Sequence, residues 1–305
     1  MEKNLIVILG PTASGKTSLA VRLACEMNGE IISADSRQVY RGMDLGTGKD
    51  LSEYKREGRT IPYHLIDVID PSEEFNLFQF QQLFSLSFLD ITKRRKLPIL
   101  VGGTGLYLES VILNYRLKKV EEDRALRERL SAMDMDALIE LYLSFSGNIP
   151  HNKTDTTDRH RLIRAIEILS HSGDVMEGIE RAPFPEISPA VVGVRWERSE
   201  LRRRITRRLQ DRIKAGLIGE VERLKEGGLS WERLDAFGLE YRYIALYLQG
   251  KLTEEEMFKT LETRIHQFAK RQETWFRRME RKGVDIHWIS GHDYDEIIRY
   301  LKVLL

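Results

Sequence analysis

A single cysteine, Cys25, leaves no partner for an internal disulfide and no cysteine cluster for a metal. Beside Ala24, in an apolar stretch, it reads as a core residue. The seven histidines show no metal-ligand spacing. No apolar run approaches the roughly 20 residues that a membrane helix needs. A strand expected from Leu5 onward leaves no room for a cleavable leader, so a cytosolic location is expected. The formal net charge of +1 does not advertise a nucleic-acid protein. Neither an internal repeat nor a low-complexity segment is visible. What remains, with 42% hydrophobic and 31% charged residues over 305 positions, is an ordinary globular chain, long enough for one large domain and a smaller one.

Against that background one octapeptide stands out: Gly10-Pro11-Thr12-Ala13-Ser14-Gly15-Lys16-Thr17. The pattern Gly-x-x-x-x-Gly-Lys-Thr reads as a phosphate cradle, against the alternative of a merely structural glycine turn. Glycines let backbone N–H groups converge on an anion, and the N-terminus of a following helix adds its positive end. Lys16 would then reach an outer phosphate, and the Thr17 hydroxyl a magnesium ion. The context agrees. Leu5-Ile6-Val7-Ile8-Leu9 suits a buried parallel strand, and Leu19, Leu23 and Met27 recur at helical spacing.

Further along, strands are expected at 30–34, 63–69, 98–101, 190–194 and 285–289, with a helix at 77–93 between the second and third of these. Alternating strand and helix argues for a parallel sheet with right-handed crossovers. Asp35 ends the second strand, where ligands of such sheets sit; it would face the phosphate site or, alternatively, cap a turn. Gly42 to Lys49 reads as a tight connecting loop. The strand at 98–101 ends in Gly102-Gly103-Thr104-Gly105, without the acidic magnesium ligand that an ATP-hydrolysing enzyme usually places there.

From about 118 to 185 only helices are expected, at 123–133, 136–144 and 158–169. Helices then return at 200–215, 218–225, 240–249 and 254–281. The fold class is therefore α/β, a P-loop NTPase-like parallel sheet flanked by helices, with a helical insertion lobe. Residues 1–117 and 186–305 would form the core and 118–185 the insertion.

Charge is unevenly distributed despite its small sum. Between Arg195 and Lys214 nine basic residues face three acids, while Leu201, Ile205, Leu209 and Ile213 mark an apolar stripe. Such a helix presents either a solvated basic face or a polyanion contact, with Arg207 and Arg208 as representative positions. Near the end, Ala-Lys-Arg-Gln-Glu-Thr-Trp-Phe-Arg at 269–277 interleaves cations with aromatics. That arrangement serves RNA binding or, for the aromatics, plain core packing. By residues alone, a small-molecule kinase and a non-catalytic RNA-binding module both stay open.

Taken together, these segments resemble the tRNA dimethylallyltransferases, also called tRNA isopentenyltransferases. The resemblance rests on 10–17, on Asp-Ser-Arg-Gln-Val-Tyr-Arg-Gly-Met-Asp-Leu-Gly-Thr-Gly-Lys at 35–49, and on His-Leu-Ile-Asp at 64–67. It extends to Leu-Pro-Ile-Leu-Val-Gly-Gly-Thr-Gly-Leu-Tyr at 97–107 and the segment at 269–277. It implies magnesium-assisted transfer of a dimethylallyl group from its diphosphate to N6 of adenosine 37 of tRNA. Asp35 is then the general base, Thr17 the magnesium-side hydroxyl and Thr104 a channel residue, with Arg204 joining Gly10, Pro11, Thr12, Ala13, Ser14, Gly15 and Lys16 around the diphosphate. By the same resemblance Asp35, Ser36, Arg37, Gln38 and Thr104 would contact RNA. So would His160, Arg161 and Arg164 in the insertion, and Lys270, Arg271, Gln272, Trp275 and Arg277 in the last long helix. A monomer without membrane association is expected. The chain departs from the family pattern at 154–158 and at Gly238-Leu239-Glu240-Tyr241.

Overall fold

The structure is a computed structural model that describes residues 2–56, 58–117, 120, 122–146, 158–171, 184–291 and 293–304. The chain divides into two compact units, residues 1–115 with 182–305, and residues 116–181.

In the larger unit, β1 (Leu5–Leu9), β2 (Gly29–Ala34), β5 (Tyr63–His64), β6 (Leu97–Gly102), β7 (Pro189–Arg195) and β8 (His287–Ser290) form one sheet in the order β5-β2-β6-β1-β7-β8. Every pairing in it is parallel. A separate two-stranded hairpin joins β3 (Lys55–Arg56) to β4 (Arg59–Thr60). β1 lies centrally, and all five of its residues are buried because helices cover both faces. Strand alternation divides them. Ile6 and Ile8 pack with α1 (Lys16–Glu26), whereas Leu5, Val7 and Leu9 pack with Phe80, Phe84 and Phe88 of α2 (Leu77–Lys93). Cys25 is half-buried against the first of these clusters. Each such buried side chain contributes about 1.5–3 kcal/mol, which makes β1 a rigid base for the loop that follows it.

The expected strand at 63–69 is shorter than its sequence suggests. It pairs only through Tyr63 and His64, after which Leu65 and Asp67 take positive φ of 64° and 56°. The chain turns there because the Asp67 carboxylate meets the ammonium of Lys49, a side chain with no exposure at all. Ile69 rejoins through one bridge to Tyr40. Three helices escape the sequence reading: α3 (Gly105–Ile112), the later segment Trp231–Phe237, and the C-terminal Tyr294–Leu304.

The smaller unit contains α4 (Arg124–Ser131), α5 (Met135–Ser146) and α6 (Arg159–Ser170). Asp123 caps α4 by accepting from Leu126 N (2.9 Å), and Asp158 caps α6 by accepting from Arg161 N (3.2 Å). Leu130, Leu138, Leu162, Ile163 and Ile166 form its core. The fully buried Glu167 receives both Arg127 and Arg164. The divergent residues 154–157 and the segment 172–183 lie outside the described residues.

After β7 the larger unit continues through α7 (Arg198–Lys214), α8 (Leu217–Glu226), α9 (Trp231–Phe237), α10 (Leu239–Leu248), α11 (Glu254–Arg281) and α12 (Tyr294–Leu304). Leu201, Ile205 and Leu209 of α7 enter a common cluster with Tyr241 of α10 and Leu261 and Ile265 of α11. The apolar stripe is thereby consumed in packing, and the basic remainder of α7 is left to line cavities.

Candidate active site

The loop from Gly10 to Gly15 leaves the carboxyl end of β1 and starts α1. Gly15 takes φ 85°, a left-handed conformation at the helix N-cap that glycine adopts without a Cβ penalty. No side chain caps α1 and its first turn carries no acid. Its orphan N–H groups and the positive end of its dipole therefore remain available to an anion. Ser14 N donates to Pro11 O (3.2 Å), and Lys16 Nζ curls back to the same carbonyl (3.4 Å).

Distant parts of the chain hold this loop. Gln272 of α11 accepts from Thr12 N (2.8 Å) and donates to Gly103 O (2.9 Å), joining the loop to the end of β6. Trp196, just beyond β7, donates its indole N–H to Ser14 O (2.9 Å), and the guanidinium of Arg204 lies 4.3 Å from the centre of its ring. Arg204 in turn donates to Ala13 O (3.0 Å). Gly102 permits a close approach of β6 to β2, since a Cβ there would stand 2.2 Å from Ala34 O.

A cavity of about 670 Å³ opens over the loop and is lined by Thr12, Lys16 and Thr17, by Asp35, and by Arg204 and Arg208. Enclosure by its walls pushes the Lys16 ammonium down to about 8; Arg208 and Arg212 add to the effect, and Asp35 and Glu53 oppose it. Arg208 is also held below its ordinary value, first by desolvation and then by Arg212. A guanidinium stays charged at any working pH, so this lowering expresses the cost of burying a cation, increased by the neighbouring Arg212. The set suits a multiply charged phosphate group.

Asp35 follows β2. One carboxylate oxygen accepts from the backbone N–H groups of Arg37 (2.8 Å) and Gln38 (3.4 Å), so the residue serves both as the turn acceptor and as a cavity wall. Thr104, the N-cap of α3, makes no cap bond with its side chain; Oγ1 instead accepts from Ser36 N (3.1 Å), tying the ends of β2 and β6 together. Arg37 is half-exposed and reaches Ala236 O (3.3 Å).

The residues expected to contact RNA differ in how far they are engaged within the protein. Gln38 lines the phosphate cavity and is held there by accepting from Ser33 Oγ (2.9 Å) and donating to Gly48 O (3.0 Å). Gln272 is buried and spent on the bridge described above. Arg208, which the sequence leaves between a solvated basic face and a polyanion contact, turns to Thr12 Oγ1 within the phosphate cavity. By contrast Lys270, Arg271 and Arg277 are exposed, and Trp275 is half-buried against the α2–α3 cluster. In the smaller unit His160 and Arg161 are exposed, whereas Arg164 is engaged by Glu167 and by Val120 O (2.8 Å).

The sequence reading also missed Arg208 as a cavity residue and the support beneath Gly42–Lys49. Spacing was the available signal for the first, because Arg204, Arg208 and Arg212 recur every fourth residue on one helix. For the second, buried Glu220 accepts from the N–H groups of Asp44 (2.9 Å), Leu45 (2.7 Å) and Gly46 (3.0 Å) and from Tyr241 Oη (2.8 Å). No local pattern announces that bond set. The Tyr241 departure from the family pattern is thus part of a packed support.

A parallel sheet with a glycine loop and an invaginated lysine at its central strand defines a protein of the P-loop NTPase-like class. The family model described as IPP transferase matches residues 38–279, and that of isopentenyl transferase matches residues 3–61. The chain is 56% identical over 303 residues to tRNA dimethylallyltransferase 1 of Syntrophus aciditrophicus, covering 99% of this chain and 98% of that protein. Among solved structures, the tRNA isopentenylpyrophosphate transferase of Bacillus halodurans superimposes with a TM-score of 0.71 at 34% identity, over 99% of this chain and 96% of the other. A eukaryotic dimethylallyltransferase described as acting on tRNA gives a TM-score of 0.78 at 26% identity, over 96% and 75%. This chain belongs to the tRNA dimethylallyltransferase family of IPP transferases.

Proposed function

We propose that this chain transfers the dimethylallyl group of dimethylallyl diphosphate to N6 of adenosine 37 in tRNA and releases diphosphate. The observation that carries the reading is the shared cavity of Asp35 and the cation-lined phosphate loop, one side fitted to take a proton and the other to hold a departing anion.

In the reaction, the N6 lone pair attacks the allylic carbon of the donor. The carbon–oxygen bond breaks and its electron pair leaves on the diphosphate. The adenine amine is a poor nucleophile because its lone pair is delocalised into the ring, so attack is eased when Asp35 takes the N6 proton as the new bond forms. Lys16, Arg204 and Arg208, with the uncapped end of α1, stabilise charge developing on the leaving diphosphate. Thr104 and Ser36 line the approach of the adenine, which must be turned out of the anticodon stack to reach Asp35.

Magnesium suits the oxygen donors present. The hydroxyl of Thr17, on the cavity wall beside Lys16, is the group that would hold the ion. When bound, it would supply charge neutralisation on the diphosphate. For tRNA contact, Arg161 on the smaller unit and Lys270, Arg271 and Arg277 on α11 supply exposed cations, and His160 an exposed hydrogen-bonding ring beside Arg161. We further assign the protein to the cytosol as a monomer; no described helix is long and apolar enough to cross a membrane.

Asp35→Asn tests the reading. It is nearly isosteric yet a poor proton acceptor, and single-turnover prenyl transfer at saturating donor and tRNA should fall about 10²–10⁴-fold, roughly 3–5 kcal/mol of barrier. Donor affinity should change little. A rate within about threefold of the parent would dismiss Asp35 as base.

A further inference from the structure

A second cleft, of about 750 Å³, begins at Pro11 and shares no lining residue with the phosphate cavity. It is bounded by α7 and α11. Leu201, Ile205 and Ala269, all buried, give it an apolar floor, while Trp196 and Trp288 add half-buried aromatic walls. The rim is basic. Arg198, Arg202 and Lys270 are exposed, and none makes an ion pair or side-chain hydrogen bond among the described residues. The two acids at the rim are already engaged. Glu280 accepts from Trp288 Nε1 (2.7 Å), and Glu273 faces Arg277 at 3.9 Å. His266, also on the cleft wall, buries Nε2 with no hydrogen-bond partner, which leaves a polar atom to be satisfied by a ligand.

Charge without counter-charge above an apolar, aromatic floor fits a ligand that is anionic on one side and flat on the other. A nucleotide has that form. The cations do not converge on one point, as they do around Lys16, but continue along α7. Arg202 and His266 line a neighbouring hollow with Arg203 and Arg207. Successive exposed arginines one helical turn apart suit a chain of phosphates better than one compact ligand.

We infer that this cleft receives a nucleotide of the tRNA anticodon arm other than the acceptor adenosine, its base against Trp288 and successive phosphates of the strand on Arg198, Arg202 and, across the cleft, Lys270. The inference rests on the proposed activity, since it takes tRNA as the partner. It adds a surface on α7 and β8 to the family-pattern contacts.

The test uses the full chain and a fluorescently labelled anticodon stem-loop RNA, titrated without donor over a range of salt. Arg198→Ser with Arg202→Ser should weaken binding about a hundredfold, at about tenfold for each lost charged contact, and lower the logarithmic salt slope by about two. Lys270→Ser, on the opposite wall, should lower it by about one. Donor affinity, measured by calorimetry, should stay within about twofold of the parent, as the side chains lie outside the phosphate cavity. Trp288→Phe should reduce RNA affinity with the slope unchanged. An unaltered affinity and slope in the double variant overturns the inference. So does saturable binding of ATP or AMP that is lost in the double variant while RNA binding persists, since the cleft is then a small-molecule site. Prenyl transfer by the parent chain to whole tRNA is scored separately. If the parent transfers and the variants bind RNA normally, only the cleft assignment fails; if the parent transfers nothing, the proposed activity fails first.

Discussion

The Lys16 ammonium is held at about 8 against an ordinary 10.5, so in the free protein its charged form carries about 3 kcal/mol of unfavourable interaction. A bound diphosphate supplies the missing counter-charge and returns the group toward its ordinary value. Donor binding above pH 8 must then be accompanied by proton uptake. Protonated Lys16 falls from nearly all of the free protein at pH 7 to about a tenth at pH 9, while the complex stays protonated. Donor Kd should therefore rise about tenfold between those pH values. The donor's own last ionisation, near pH 6, is complete before this window opens. Titration calorimetry with dimethylallyl diphosphate at pH 7 and 9, in buffers of different ionisation enthalpy, reads both the affinity and the protons taken up. Lys16→Ala should bind weakly and lose the dependence. The linkage also acts on the empty protein. Because the folded value lies below the unfolded one, the cost is present in full below pH 8 and is relieved as pH rises through 8 toward 10.5. An affinity flat from pH 7 to 9, or a dependence that survives Lys16→Ala, would refute the reasoning.

Three further outcomes follow from the bonds described above. Gln272→Ala leaves Thr12 N–H and Gly103 C=O without their partner, so donor affinity should drop about tenfold while far-ultraviolet circular dichroism is preserved; unchanged calorimetry would remove Gln272 from the loop's support. Glu220→Ala strands three backbone N–H groups and Tyr241 Oη, and should cost about 3 kcal/mol or more in urea unfolding, with a shift below about 1 kcal/mol counting against the buried acceptor. The Glu30 carboxyl is held below its ordinary 4.5 by hydrogen bonding to Arg94 first, and by His64 despite opposing burial. Its contribution is complete above the unfolded value and lost as pH falls through the folded one. Arg94→Gln should therefore lower Tm near neutral pH and flatten the acid side of the Tm profile, and parallel profiles would contradict this.

Periodicity and motif made the centre of the molecule legible. β1, α1, α2 and β6 carry their own patterns, and the long amphipathic α11 runs from Glu254 to Arg281 as its apolar spacing requires. Position relative to a strand end was equally informative, bringing Asp35 to the phosphate loop. What escaped depends on partners far away in sequence. The resemblance assigns Gln38 and Gln272 to RNA, and nothing local shows that Ser33 and Gly48 will bond the first and Thr12 and Gly103 the second. Arg208 stays open between a solvated face and a polyanion contact because a helix known only by its apolar stripe does not reveal which of its basic sides faces a cavity. The strand after Tyr63 was overextended for a similar reason: Leu65 and Ile66 look like strand residues, but buried Lys49 draws Asp67 into a turn. In the α9 region, the Ser230 cap on Arg233 N (3.1 Å) was a usable local sign of a helix start that apolar spacing alone did not supply.

The bond between Thr12 and Gln272 spans 260 residues. During synthesis the loop emerges far ahead of its clamp, with the inner strand β7 and the indole of Trp196 arriving in between. At about 5–20 residues per second the ribosome needs roughly 10–50 s to make the intervening chain. For the part of that interval between the synthesis of β6 and that of β7, β1 has one neighbour and lacks the other. A nascent chain halted before α11 therefore carries the whole glycine motif without the amide that holds it, and ligand protection of the chain should begin only after the last long helix has left the exit tunnel.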